Sequence, residues 1–212
     1  MTNNCKIKLE NNKDSTIIRG DVIVINDAEK ELEVDKNVII TGDELDGKCE
    51  KMKFTSNYTS IKMLNNPVLW LNKVQLIGDE IELYTESNEL DSIYIEKQPF
   101  IIYPNDSLEY YNQIKGNLLN GKFTQNKIDY INILGNGQMK YFEKNKEENH
   151  KISINNTEAS KIQLKLENNN IKKVICFQEI ESNQIDIQKE NFSDIDPKLL
   201  YLDGFTLRNR EN

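Results

Sequence analysis

Few residues of this sequence have the type and spacing that catalysis requires. His150 is the only histidine, and it lies in the charged stretch EKNKEENHK, which is typical of an exposed loop. A general base needs an oriented partner and a pocket, and the neighbours of His150 indicate neither. The carboxylate pairs Asp43/Glu44 and Asp194/Asp196 are more typical of solvated loops or helix caps than of a glycosidase. We therefore expect that the protein is not an enzyme.

The sequence does not indicate a metal or cofactor site either. Cys5, Cys49 and Cys176 are far apart, and no Cys-x-x-Cys or Cys/His cluster suggests zinc. Their odd number also argues against a closed disulfide framework. The stretch Gly135–Gly137 lacks the second half of a dinucleotide fingerprint and a following helix, so we expect a turn there. We expect no cofactor and no metal.

The composition excludes several classes of protein. The chain has 212 residues, of which 37% are hydrophobic and 29% are charged, as in folded soluble proteins. A net charge of −8 argues against nucleic-acid binding, which needs clustered Lys and Arg. No apolar run is long enough to span a membrane. The opening MTNNCKIKLE lacks the basic and apolar regions of a secretory signal.

A sequence motif is repeated along the chain. TSIKMLNNPVLWL (residues 59–71) recurs 32 residues later as DSIYIEKQPFIIY (91–103), and related copies occupy residues 15–25, 129–142 and 172–185. The copies follow one another at spacings of 46, 32, 38 and 43 residues. Each has apolar residues two apart on both sides of a Gly or Pro, which indicates strand, bend and strand. The residues expected at the bends are Gly20, Pro67, Pro99 and Gly137.

Stacked units of this kind predict an all-β fold, an elongated, solenoid-like β-jellyroll of short antiparallel strands. We expect the repeated domain over residues 15–192, between an N-terminal segment (1–14) and a C-terminal closing segment (193–212). In the closing segment, Asp196 followed by Pro197 predicts a short helical turn.

Several stretches resemble a known family. They are NNPVLWLNKVQLIGDEIELYTESNELDSIYIEKQPFII, YYNQIKGNLLNGKFTQNKIDYINILGNGQMKYF and LLYLDGFTLRNR. Their most specific pieces are Gly78-Asp79 before an amphipathic strand, YNQIKG at 111–116, and the GNG turn. They resemble the OstA-like proteins of Bacteroidetes-type bacteria, which belong with the LptA-type lipopolysaccharide-transport proteins. The resemblance covers roughly residues 15–210, and Leu207 stands where the family usually has an aromatic residue.

The resemblance implies a periplasmic or outer-membrane-associated bridge protein without catalytic activity. Its V-shaped β-jellyroll (β-taco) would carry the lipid A acyl chains of lipopolysaccharide in an apolar interior groove. Its partners would be lipopolysaccharide and other β-jellyroll proteins joined edge to edge, including a head-to-tail homo-oligomer. We expect Val22–Ile25 and Val38–Ile40 at one edge and Val174–Phe177 at the other, although flanking charges could equally blunt these edges.

We expect ten apolar residues at equivalent places in successive units to line the groove. Burial of an acyl chain there would contribute up to about 0.8 kcal/mol per methylene. The same residues could fill the core of a closed structural or protein-interaction solenoid without a lipid ligand, so an open cavity would distinguish the two functions. A polysaccharide-binding β protein is a third candidate, but it would need exposed aromatic platforms, and only 8% of the residues are aromatic. The groove candidates are Ile61, Met63, Val68, Trp70, Ile93, Ile95, Phe100, Ile102, Ile131 and Ile133.

Overall fold

Alternating apolar residues place most of the chain in β-strands. The computed structural model describes residues 5–10, 15–55, 57–87, 89–105, 110–144, 151–188 and 195–210. Within these ranges the protein has seventeen strands and one short helix. The strands are β1 (Cys5–Glu10), β2 (Ser15–Gly20), β3 (Val22–Asn26), β4 (Glu31–Gly42), β5 (Asp46–Thr55), β6 (Ser60–Leu64), β7 (Val68–Leu71), β8 (Val74–Ile77), β9 (Glu80–Glu86), β10 (Glu89–Ile95), β11 (Phe100–Pro104), β12 (Tyr111–Lys115), β13 (Leu118–Thr124), β14 (Lys127–Lys144), β15 (Lys151–Glu167), β16 (Asn170–Phe177) and β17 (Glu181–Gln188), and the helix is α1 (Pro197–Leu200).

The antiparallel sheet folds along its middle into two layers, which we call half I and half II. Half I contains β3, β6, β9, β10, β13 and β16, and half II contains β1, β2, β7, β8, β11, β12 and β17. The long strands β4, β5, β14 and β15 pass from one half to the other, because each pairs with half I at one end and with half II at the other. The result is the elongated, stacked β-jellyroll that the sequence predicts.

Main-chain hydrogen bonds continue the stacking where the chain bends between the halves. Asp21 N donates to Lys36 O at 3.1 Å, and Asp79 N donates to Lys97 O at 3.1 Å. These bonds give partners to amides that lie outside the strand ladders. The bends therefore form a hydrogen-bonded spine along one side of the molecule, opposite the hairpin turns.

Three glycines occupy equivalent places at the end of a strand that enters a bend. A Cβ atom at each of them would overlap a β-branched side chain of a neighbouring strand. The close approach of backbone and side chain therefore requires glycine. The pairs are Gly20 with Val34, Gly78 with Ile95, and Gly116 with Ile133.

The residues expected at the bends lie there, so this prediction is confirmed for Gly20, Pro67, Pro99 and Gly137; Gly137 lies inside β14, where the register with β15 shifts between Leu134 and Gly137. The first copy of the repeat, however, runs in the opposite direction from the others. Around Gly20 the chain passes from half II to half I, whereas around Pro67 it passes from half I to half II. The pattern of apolar residues around a bend is the same in both directions, so the sequence did not distinguish them.

The inner faces of the two halves pack against each other as one apolar core. The contact between them is direct, since a Cβ atom added to Gly47 of half II would lie 3.1 Å from Met63 Cε of half I. Alternation along each strand decides which residues enter this core. In β7 the core residues are Leu69 and Leu71, and in β11 Ile101 is a core residue.

The last described residues cover the outer face of half II. Asp196 caps α1 by accepting a hydrogen bond from Lys198 N at 3.0 Å, which confirms the short helical turn predicted around Asp196 and Pro197. We call residues 197–210 the strap. Leu200 of the strap packs with Phe142, Ile152 and Ile154 in a second, small apolar cluster.

Two buried glutamines hold the strap by its main chain. Gln75 Nε2 donates to Thr206 O at 2.8 Å, and Gln75 Oε1 accepts from Arg208 N at 2.8 Å. Both glutamines thus bond a carbonyl and an amide two residues apart. In the second pair of hydrogen bonds, Gln113 Nε2 donates to Leu200 O at 2.9 Å and Gln113 Oε1 accepts from Leu202 N at 2.8 Å.

Two of the three predicted edge segments lie at an edge. In the described residues, Val22–Ile25 belongs to β3, which pairs only with β4, and Val174–Phe177 belongs to β16, which pairs only with β15. The prediction for Val38–Ile40 is wrong, because this part of β4 lies between β2 and β5. The hairpin of β1 and β2 covers it from outside.

The division at residues 14 and 192 stays a prediction, and β1, which lies before the first boundary, pairs with β2. None of the helices in the described part of the chain has the length and apolar character to cross a membrane.

Candidate functional site

An apolar cavity of about 620 Å³ lies between the two halves, at the end of the molecule formed by β1 to β6. This volume is within the range of small-molecule sites in proteins, about 300–1,000 Å³. Both halves contribute to it. Its apolar walls are Ile7, Leu9, Ile18, Ile25, Leu32, Ile40, Leu45, Met52, Phe54, Ile61, Leu83 and Leu90.

Strand pairing explains why these side chains form continuous walls. In half I, Phe54 of β5 lies opposite Ile61 of β6, and Ile61 lies opposite Leu83 of β9. In half II, Ile18 of β2 lies opposite Ile40 of β4. Side chains at paired positions share a face of the sheet. Each half therefore presents an apolar stripe that runs across its strands to the cavity.

Polar side chains at the rim are fixed by hydrogen bonds. Asn126 Oδ1 accepts from Leu90 N at 2.7 Å, and Asp43 Oδ2 accepts from Ser15 N at 3.0 Å. These bonds tie neighbouring turns together at the opening. The rim is thus ordered by its own contacts, before any ligand binds.

A polar clasp joins the turns of the two halves beside the cavity. Asn169 Nδ2 donates to Glu44 O at 3.2 Å and to Glu44 Oε2 at 3.1 Å, and Asn169 Oδ1 accepts from Ile128 N at 3.0 Å. Lys127 Nζ lies 3.6 Å from Glu44 Oε1. We call Glu44, Lys127 and Asn169 the clasp. It links the turn between β4 and β5 to the start of β14 and to the turn between β15 and β16.

The cavity walls contain no group arranged for covalent chemistry among the described residues. Cys49 is buried near the walls, and desolvation raises the pKa of its thiol to about 12, so it stays protonated and unreactive. The three cysteines are free thiols. No group of three or more His, Cys, Asp or Glu in the described ranges is arranged to hold a metal ion. The apolar walls can bury an apolar ligand.

The residues considered for catalysis have structural contacts or lie outside the described ranges. Asp43 and Glu44 belong to the turn between β4 and β5, where both have the hydrogen bonds given above. Asp196 caps α1. His150 and Asp194 lie outside the described residues.

Six of the ten groove candidates point into the interior. Of these, Ile61 lines the cavity. The other five are packed in the core with 0% of their surface exposed, so side chains fill the interior at these five positions. These five are Met63, Ile93, Ile95, Ile131 and Ile133.

The remaining four candidates lie on the other face of half II, which corrects their expected direction. They alternate with core residues such as Leu69 and Ile101 and are buried from outside, in the region that the strap covers. Phe100, for example, meets Phe205 of the strap with ring centroids 6.4 Å apart. In VLWL and FIIY every residue is apolar, so alternation could not show which side faces inward. The four are Val68, Trp70, Phe100 and Ile102.

The sequence contained a signal for cavity residues that the repeat search missed. Met52 and Phe54 alternate with lysines in KMKF, and this strand lies between two copies of the repeated phrase. Period-two alternation predicts their shared face. Ile40 and Leu45 lack such a pattern, because they flank a turn whose position depends on the pairing of β4 with β5.

Comparisons with solved structures give a likeness of fold. No family model and no curated protein sequence matches the chain. Among solved structures, the chain is similar to LptH of Pseudomonas aeruginosa, the LptA-homologous periplasmic component of the lipopolysaccharide transport device. The match has 10% sequence identity and a TM-score of 0.49, and it covers 68% of this chain and 94% of that one. A likeness at this level carries no information on ligands.

Proposed function

We propose that this protein binds acyl chains of lipopolysaccharide in the cavity between its two halves and acts as a periplasmic carrier or bridge toward the outer membrane. The observation that supports the proposal is the apolar cavity of about 620 Å³. A cavity lined from both halves would shield an acyl chain from water. The choice of lipopolysaccharide among acylated amphiphiles rests on the sequence resemblance to the OstA-like and LptA-type proteins.

The energetics of acyl burial suffice for such a ligand. Each buried methylene contributes about 0.8 kcal/mol, so ten methylenes would contribute about 8 kcal/mol before the costs of association. Because core residues such as Met63 and Ile93 are fully buried, an acyl chain would occupy the end of the interior and not its full length. The headgroup would stay outside the opening.

The test is native mass spectrometry of the protein with lipopolysaccharide and with the same material after removal of its acyl chains. We expect adducts with the acylated form alone. Leu90→Asp places a charge in the cavity wall at a partly buried position and should abolish the adduct. Val24→Asp, on the exposed surface of β3 and outside the cavity walls, is the matched control and should retain it. Equal binding by both variants, or adducts with the deacylated material, would contradict the proposal.

A protein-interaction scaffold is the second candidate, and one observation favours it. Val22, Val24 and Ile25 of β3 are 42%, 53% and 62% exposed, on a strand that pairs on one side only in the described chain. Exposed apolar edge strands are sites where another strand can add to the sheet. If no lipid adduct forms, this is the function to test next.

A further inference from the structure

A second cavity, of about 520 Å³, opens between the halves next to β16. Val74 and Met139 of half II and Ile171 and Val174 of half I line it, and all four pack against the main core. Its inner wall is therefore apolar and continuous with the interior of the protein. Apart from Pro104, its remaining lining residues have polar groups, which gives the cavity two chemically different sides.

The hydroxyl group of Tyr103 is an unusual feature of this cavity. Tyr103 lines it and is nine-tenths buried, and its hydroxyl has no hydrogen-bond partner among the described residues. One nearby acceptor already has a partner, because Asn112 Oδ1 accepts from Phe142 N at 2.9 Å. Buried hydroxyl groups almost always have a partner, and one without a partner calls for an explanation. A ligand that accepts a hydrogen bond would supply it.

The charged residues among the described lining of the cavity have one sign. Lys73, Lys172 and Lys173 line it, and no Asp or Glu is among its described lining residues. Lys172 has an exposed ion pair with Glu167, with 3.6 Å between Nζ and Oε2, which solvent screens. The first cavity differs, because Asp43 and Glu44 lie on its rim. An anionic group would therefore prefer the second cavity.

We propose that the second cavity binds an oxyanion, the phosphate or carboxylate head of an amphiphile, with Tyr103 as hydrogen-bond donor and the three lysines as the surrounding positive charge. The apolar part of the same molecule lies against Val74, Ile171 and Val174. This assignment rests on the proposed function, since it takes the same class of acylated ligand, and it adds a second site, separate from the first cavity, that also binds the head. Burial raises the pKa of Tyr103, so its hydroxyl stays protonated and can donate at neutral pH.

The experiment compares three probes by isothermal titration calorimetry, below the micelle concentration of the two alkyl compounds. Dodecyl phosphate carries a chain and an oxyanion, dodecyl maltoside carries the chain alone, and inorganic phosphate carries the oxyanion alone. We expect dodecyl phosphate to bind most tightly. Tyr103→Phe should weaken its binding about 10- to 100-fold, as for loss of a hydrogen bond to a charged group, and should leave dodecyl maltoside unchanged.

Thermal unfolding of the ligand-free variant separates binding from structure. Tyr103→Phe removes a hydroxyl without a partner, so the variant should unfold at the same temperature as the wild type or higher. Tyr94→Phe, at a tyrosine that is 40% exposed in β10, is the matched control and should bind both alkyl compounds as the wild type does. A lower unfolding temperature for Tyr103→Phe would show that the hydroxyl has a structural partner, and would overturn the assignment.

The lysines are tested by charge removal. Lys172→Gln/Lys173→Gln should weaken dodecyl phosphate several-fold at low salt, with a smaller effect at high salt. Lys6→Gln/Lys97→Gln removes the same charge outside the cavity and should have little effect. If both alkyl compounds bind the wild type equally, the head assignment fails and the proposed function stands. If inorganic phosphate binds as tightly as dodecyl phosphate, the alkyl chain contributes nothing and the assignment to an amphiphile fails. If neither alkyl compound binds, the proposed function itself fails.

Discussion

At the scale of single residues, charges on the outer surface of half I are coupled across strands. Glu33 of β4 has hydrogen-bonded ion pairs with Lys51 and Lys53 of β5. The hydrogen bond from Lys51 is the main cause that lowers the pKa of Glu33 to about 2, against the opposing effect of desolvation. A carboxylate whose pKa is lowered by folding stabilises the folded state when it is ionised.

Glu33→Gln should therefore make the stability less dependent on pH. The stabilisation by Glu33 is complete above its unfolded pKa of 4.5 and is lost as the pH falls through about 2. Because the site is partly exposed, we expect the variant to lose only about 0.5–1 kcal/mol at pH 7. Urea unfolding from pH 7 to pH 2 measures the difference, which should shrink below pH 4.5. Glu50→Gln, at an exposed position in the neighbouring strand β5, is the control. A difference that is constant with pH would refute the prediction.

The groove candidates show what the local alternation of apolar and polar residues can and cannot predict. Ile93 and Ile95 alternate with polar neighbours, and this alternation correctly places them in the core. Trp70 lies in an all-apolar stretch, and its direction depends on residues more than a hundred positions later that cover the outer face of half II. No local pattern contains that information.

At the scale of elements, the bends depend on glycine in contact with a β-branched residue. Gly78 and Ile95 are such a pair, and a Cβ atom at residue 78 would also lie 3.1 Å from Lys97 O. The spine of the bends is therefore packed from both sides. The sequence predicts the bends, but not that each glycine faces a particular side chain, because that contact depends on the register between strands.

Gly78→Ala should cost about 1–3 kcal/mol of stability through overpacking. The double variant Gly78→Ala/Ile95→Leu should recover part of this loss, because leucine has no methyl group branching at Cβ. Chemical denaturation of the two single variants and the double variant gives the coupling energy. If the two losses simply add, the contact between residues 78 and 95 is not the cause.

The sequence also did not predict in which direction the chain passes between the halves at each bend. The chain changes half at every bend, so successive bends run in opposite directions, as at Pro67 and Gly78. A search for similar phrases aligned Gly20 with Pro67, although the chain runs oppositely there. The alternation of apolar residues predicts that strands exist, and the hydrogen-bond partners of each strand decide the layer.

At the scale of the whole molecule, the two ends are not equivalent. In a head-to-tail stack, β3 of one copy would meet β16 of the next in half I, and β1 would meet β17 in half II. β3 runs away from the bends and β16 runs toward them, so that pair would be antiparallel, whereas β1 and β17 both run away from the bends and would be parallel. Antiparallel pairing is slightly more stable. Half I would therefore form the more stable contact between two copies.

Val24→Lys in β3 should weaken association more than Leu9→Lys in β1, since a lysine on an edge strand opposes strand addition. Both positions are exposed, at 53% and 42%. Light scattering after size exclusion, over a range of concentrations, measures the association of the wild type and both variants. A wild type that stays monomeric throughout, or equal effects of the two variants, would exclude this mode of assembly.

The strap suggests how such a protein can diverge. Gln75 and Gln113 bond carbonyl and amide groups that every residue except proline possesses. Most substitutions along the strap therefore leave these four bonds available, whereas a proline at residue 202 or 208 removes one of them. In descendants of this chain, much of the strap sequence could change while the strap stays in place. The condition is that the two glutamines, which lie more than eighty residues before their strap partners, are kept.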